Sequence, residues 1–212
     1  MNALSPQKPL MIVMTGLPGS GKSFFADQFA ETFKAPLISA DKLRQIVAPS
    51  ASFSREENQV IHQLTVNQLG QVLKTQKTVI FDGLANGRSE RAELSRMAKA
   101  AGYRLLIIWV QVDEASALRR SVQPNRRTKH FDSDKTPLTP ELFEQFKKRF
   151  MPPLKTDDFL VISGKHTYAT QAKVVLKKIV EPRSVNPIAR PQSGQDGSDV
   201  SQNTKTRNII IR

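Results

Sequence analysis

The chain of 212 residues contains no cysteine. That excludes a disulfide framework, a Cys-based zinc site and a cysteine nucleophile, and it is compatible with a reducing compartment. The hydrolase and metalloprotease signatures G-x-S-x-G and H-E-x-x-H are missing as well. The histidines, His62, His130 and His166, are dispersed without metal-ligand spacing, and no repeat of fixed period runs through the chain. Long apolar runs are also lacking: Leu10 to Met14 is too short for a membrane span or for the core of a secretion signal. A cytoplasmic protein without membrane contact is therefore expected. Acidic residues are the scarcer charge, 19 against 32 basic ones, which leaves a net charge of +13. Such a surplus favours anionic partners, nucleic acid among them, without specifying one. There is no aromatic-rich strip that would mark a nucleic-acid surface.

What is present describes one α/β domain followed by a tail. A hydrophobic fraction of 39% and 11 phenylalanines, the last of them Phe159, supply a core. Leu10 to Thr15 reads as a strand buried on both faces. Lys22 to Lys34 reads as a helix with Phe25, Phe29 and Phe33 on one stripe facing the sheet. Leu37 to Ala40 predicts a second strand, and Asp41 then precedes a short helical stretch through Val47. Ser54-x-x-Glu57 is a capping box opening a long helix to about Leu73. Thr78 to Phe81, Leu105 to Val112 and Phe159 to Ile162 complete five strands, alternating with helices at 89–101, 114–122, 140–151 and 170–180. Residues 123–138 have no apolar periodicity and carry Arg126, Arg127, Lys129 and Lys135, the pattern of a mobile lid. From Pro182 onward the composition is too polar to bury a core, so the reading is a domain at 1–181 and a disordered basic tail at 182–212.

The strongest motif is Gly16-Leu17-Pro18-Gly19-Ser20-Gly21-Lys22-Ser23, a complete G-x-x-x-x-G-K-[ST] between a strand and a helix. Its glycines permit the backbone turns by which successive N–H groups encircle a phosphate, and the helix that follows directs its partial positive charge at the same anion. Lys22 neutralises the β- and γ-phosphate oxygens, and the Ser23 hydroxyl is a magnesium ligand. These eight residues together with Phe24 are the expected site for ATP with Mg2+.

Other polar residues fall at the carboxyl ends of the strands, where ligands of such sheets sit. Asp41 and Arg44 follow strand two; the carboxylate there is suited to orienting or deprotonating a hydroxyl, unless it only caps a helix with Arg44 on the solvent side. Asp82 ends strand three, where it is placed to hold magnesium or to pair with Arg44. Arg119, Arg120, Arg126 and Arg127 flank the lid, and an arginine closing on the phosphates stabilises transition-state charge. The Gly164–Lys165 turn after strand five is positioned to lie against the adenine base.

Together, Gly16-x-x-Gly19-x-Gly21-Lys22-Ser23, Ser39-Ala-Asp41-x-x-Arg44, Val79-Ile-Phe-Asp82 and the basic lid resemble the small P-loop kinases that include the polynucleotide 5′-kinase domain, the zeta toxins and chloramphenicol phosphotransferase. The resemblance covers roughly residues 10–180. It implies a P-loop NTPase fold, a five-stranded parallel sheet in the order 2-3-1-4-5, with Asp41 as general base. It further implies Arg44 on the acceptor side or paired with Asp82, and Arg126 or Arg127 as the lid arginine. The lid departs from the pattern: it lacks a compact R-x-x-x-R pair and carries His130-Phe-Asp-Ser-Asp134, so the acceptor does not carry over. The expected activity is transfer of the γ-phosphate of Mg-ATP to a hydroxyl acceptor, a polynucleotide 5′ end or a small molecule. The alternative is an ATP-hydrolysing switch or binding module, but the Asp82-Gly83 rim offers no Gln or Glu to position a water.

Overall fold

The computed structural model describes residues 8–48, 51–123 and 137–180. The expected tail and most of the expected lid, including Arg126 and Arg127, lie outside the described residues. Among the described residues no helix is long and apolar enough to cross a membrane.

Strand β1 (Leu10–Thr15) is buried along its whole length because it is the middle of the sheet. It pairs in parallel with β3 (Val79–Asp82) on one side and β4 (Arg104–Gln111) on the other. Strands β2 (Leu37–Ser39) and β5 (Phe159–Ser163) form the edges, giving the order β2-β3-β1-β4-β5, as expected. Because side chains alternate along a strand, β1 feeds two cores. Leu10, Ile12 and Met14 pack with Phe25 and Phe29 of α1 (Lys22–Phe33) and with Val175 of α7 (Tyr168–Val180). Met11 and Val13 pack with Leu69 and Leu73 of α3 (Arg55–Leu73) and with Leu94 and Ala98 of α4 (Arg88–Ala100). Phe25 and Phe29 stack with centroids 5.2 Å apart. Phe33 departs from the expected buried stripe: it is 46% exposed in the last turn of α1, touching only the outer side of Phe29 among the described rings.

Helix α2 (Ala40–Val47) starts earlier than expected, taking in Ala40 and Asp41, because Ser39 is its cap: the Ser39 hydroxyl accepts from the Lys42 N–H at 3.3 Å. Asp41 is therefore inside the first turn and is not the capping residue. Asp113 and Thr139 cap α5 (Glu114–Val122) and α6 (Pro140–Arg149) as their sequences predict. The chain runs from β1 toward the β2 edge, then crosses to β4 on the opposite side. That reversal leaves a crevice at the carboxyl end of β1, where the glycine-rich segment lies.

Candidate active site

The loop after β1 is held open by its surroundings. Gly16 and Gly19 have positive φ angles of 139° and 71°, and a Cβ at either would overlap a backbone carbonyl, of Val110 and Ala117 respectively. No residue but glycine fits there. Asn86, after β3, fixes where the loop begins: its Oδ1 accepts from the Gly16 N–H at 3.2 Å and from the Thr15 hydroxyl at 3.1 Å. Lys22 Nζ donates to the carbonyls of Gly16 (3.0 Å) and Leu17 (2.9 Å), so its ammonium lies on the loop itself.

Helix α1 is capped by Gly21, which offers no side-chain oxygen to the first-turn N–H groups. With the loop amides they form an anion cradle, and this fits the phosphates of ATP. Ser20 is folded beneath the loop, its hydroxyl buried without a partner.

A cleft of about 690 Å³ opens over this loop, and Gly19, Gly21, Lys22, Ser23, Phe24, Asp41, Arg44, Asp82 and Gly164 all line it. Asp82, buried at the end of β3, stands in register with Ser39 of β2. Among the described residues no three His, Cys, Asp or Glu side chains converge on a metal position. Ser23 and Asp82 both line the cleft, a hydroxyl and a carboxylate of the kinds that Mg2+ can take beside waters and substrate phosphates.

Arg44 lines the cleft and is not on the solvent face that the alternative reading gave it. It is buried, its Nε donating to Glu57 Oε1 at 2.7 Å and its Nη2 to Asn58 Oδ1 at 2.6 Å. Asp41 is its weaker partner at 3.4 Å and keeps a side chain 49% exposed. Glu57 in turn accepts from the Ser52 N–H and hydroxyl and from the Phe53 N–H. The capping box is thus half used: Ser54 caps Glu57 N–H, while the glutamate reaches past Ser54 to the preceding residues and to Arg44.

Burial raises the Glu57 pKa, but the hydrogen bonds from Ser52 and then Arg44 outweigh it and leave the carboxyl below its ordinary value of 4.5. A depressed carboxyl stabilises the fold fully above its unfolded pKa and loses that contribution as pH falls toward the folded value. Melting temperatures of wild type and Glu57→Gln are therefore expected to differ most above pH 4.5 and to converge below it. A gap that stayed constant down to pH 3 would show that the ionised carboxylate is not what holds this corner.

At the other arm of the cleft, Arg120 Nη1 donates to the Gly164 carbonyl at 3.0 Å. A Cβ on Gly164 would overlap the Ser20 carbonyl, so the turn after β5 presses directly on the phosphate loop. Lys165 is not part of the cleft lining; it pairs with Asp113 at 2.7 Å. That pairing and the Ser116 N–H hold the Asp113 carboxyl well below the usual carboxylate range.

Sequence reasoning did not single out Asn86 or Arg91. Arg91, buried in α4, donates to the carbonyls of Ala85 and Asn86 and, across the chain, to that of Pro152, each at 3.1 Å. It fixes the turn that carries Asn86. Arg91→Ala would leave buried carbonyls without donors and is expected to destabilise the protein by about 2–3 kcal/mol, read as a lower denaturation midpoint. Nucleotide affinity should fall with it, and a variant as stable as wild type would contradict this role.

A glycine-rich loop between a central parallel strand and a glycine-capped helix, with carboxylates at or just after the neighbouring strand ends, defines a P-loop nucleotide-binding domain. Residues 11–153 match the family described as an AAA domain, AAA_33, and the chain belongs to that family. It is similar to a KTI12 homolog from Arabidopsis thaliana, 28% identical over 68% of this chain and 47% of that protein. It is also similar to a protein named "Probable adenylyl-sulfate kinase" from Aeropyrum pernix, 25% identical over 54% of this chain and 65% of that one. The chain thus spans between about half and two thirds of these curated relatives. In fold it resembles the Mycobacterium tuberculosis APS kinase CysC solved with AMPPNP and APS: TM-score 0.58, 18% identity, 82% of this chain and 99% of that one covered.

Proposed function

We propose that the protein is a phosphotransferase that moves the γ-phosphate of Mg-ATP to a hydroxyl group of an acceptor. The observation that carries this is that the anion cradle and two carboxylates from adjacent strand ends, Asp41 and Asp82, line one cleft. The kinase named among its relatives and the kinase of like fold support the same reading.

The loop amides and Lys22 bind the phosphates, Lys22 exchanging two carbonyl partners for phosphate oxygens. Magnesium, held by Ser23 and Asp82, would offset charge on the β- and γ-phosphates. Asp41 accepts the proton of the acceptor hydroxyl; its exposed carboxylate is within reach of a ligand in the cleft, and its long contact with Arg44 fixes its orientation. Arg44 does not supply a free charge to the phosphates, because Glu57 and Asn58 already hold its guanidinium. Arg126 and Arg127 are the proposed lid arginines and Gly164 the proposed wall of the nucleoside subsite. The polynucleotide kinase and zeta toxin branch remains our assignment from the D-x-x-R motif at Asp41 and Arg44.

Acceptor-stimulated release of ADP tests the proposal. A phosphotransferase releases ADP faster when its acceptor is added, with no matching rise in inorganic phosphate. Release of ADP and phosphate in equal amounts, indifferent to every alcohol supplied, would favour a hydrolysing switch.

A further inference from the structure

The side-chain amide of Asn86 has its two ends in different surroundings. Its Oδ1 accepts from the Gly16 N–H at 3.2 Å and from the Thr15 hydroxyl at 3.1 Å. A backbone N–H can only donate, so the carbonyl end must face the loop; the reversed amide would set donor against donor. That leaves the Nδ2 end with two N–H groups, and among the described residues no acceptor meets it. Asn86 is half-buried and lines the cleft together with Asp82, Gly83 and Leu84.

Its place is fixed from outside the cleft. The Asn86 carbonyl accepts from Arg91 Nη1 at 3.1 Å and from the Met151 N–H at 2.9 Å. The backbone that carries the amide is thus tied to α4 and to the segment after α6, and the amide itself to the first residue of the phosphate loop. A donor held in this way needs little reorganisation when charge develops beside it. Lys22 indicates which charge that is. Its ammonium rests on the Gly16 carbonyl at 3.0 Å, while Asn86 holds the N–H of the same glycine. The two donors flank one residue of the loop, and Lys22 is the side chain assigned to the β- and γ-phosphate oxygens.

We propose that Asn86 is a catalytic residue whose Nδ2 donates to a non-bridging oxygen of the γ-phosphoryl group. The bond from phosphorus to the ADP oxygen breaks, the bond to the acceptor oxygen forms, and the acceptor proton passes to Asp41. Asn86 keeps its own protons and offsets charge on the group in transit. Because its carbonyl is spent on the loop, Asn86 cannot orient a water by accepting from it, which favours transfer over hydrolysis. Arg91 is a positioning residue for this donor. The inference rests on the phosphotransfer reading for the turnover step only; contact with the γ-phosphate needs no acceptor.

The test is equilibrium binding of Mg-ADP and Mg-AMPPNP to the full chain and to Asn86→Asp and Asn86→Ala, beside a thermal melt. Asn86→Asp keeps an oxygen for the Gly16 N–H and turns a carboxylate oxygen toward the γ-phosphate. Its ADP affinity is expected within about three-fold of wild type, and its AMPPNP affinity at least about ten-fold lower, in keeping with the strength of a hydrogen bond to a charged group. Asn86→Ala adds no charge and should still lose about five-fold more affinity for AMPPNP than for ADP. Should it fail to fold, Asn86→Ser takes its place. A residue that only braced the loop would lose both nucleotides equally in each variant, and that result would overturn the donor. Selective loss in Asn86→Asp alone would show a charge felt at a distance and would overturn it as well. Selective loss of AMPPNP in both variants, from a protein that labels no alcohol, would sustain the donor and overturn the phosphotransfer reading; labelled alcohol with equal losses does the reverse.

Discussion

Lys22→Ala is expected to lower turnover by about a hundred-fold or more while leaving the melting temperature close to that of wild type. One preorganised donor to a transition-state oxygen contributes about 3–4 kcal/mol. The loop keeps its shape without this side chain, because the glycine conformations at Gly16 and Gly19 and the Asn86 contact set its path. Two loop carbonyls lose a donor, but both belong to a part-buried loop that water reaches. The checks are ATP turnover beside a thermal melt. A variant that used ATP like wild type would remove the phosphate loop from the mechanism.

The second large effect concerns Asp41→Asn, which separates a base from a structural residue. If Asp41 takes the acceptor proton, transfer should fall by ~10² to 10⁴ while Mg-ATP affinity stays within a few-fold of wild type. The capping explanation no longer competes, since Ser39 makes the α2 cap through the Lys42 N–H. The ion pair with Arg44 is long, and Glu57 and Asn58 are closer partners of that arginine, so stability should change by less than about 1 kcal/mol. Unchanged transfer would defeat the assignment. Lost ATP binding would move Asp41 to the metal instead.

The sheet order and the phosphate loop were legible because their signals are local. An uninterrupted apolar run marks a central parallel strand, and the spacing of Gly16, Gly19, Gly21, Lys22 and Ser23 has few other uses. That Asp41 and Asp82 line the cleft was legible for a related reason: strand ends can be counted, Asp82 being the last residue of β3 and Asp41 following β2 by two residues. The partners of Arg44 were not, since Glu57 and Asn58 come from the start of another helix, and only the Ser54-x-x-Glu57 pattern hinted that this glutamate is engaged. That pattern predicted a closed capping box; the folded chain instead spends the carboxylate on Arg44, Ser52 and Phe53. Asn86 and Arg91 gave no signal, because they act on residues about 70 and 61 positions away through single side-chain atoms. Long-range polar contacts of that kind leave no periodicity to read. Lys165 was misplaced by adjacency: Gly164 reaches the loop, but the next side chain turns to Asp113.

The most direct test of phosphotransfer follows the label itself. The protein is incubated with magnesium, γ-labelled ATP and a panel of nucleosides, oligonucleotides with free 5′-hydroxyls, sugars and hydroxyl-bearing antibiotics. The account predicts label on an alcohol as a phosphomonoester, abolished in Lys22→Ala and Asp41→Asn. Label recovered only as inorganic phosphate, in amounts that Asp41→Asn does not change, would contradict it.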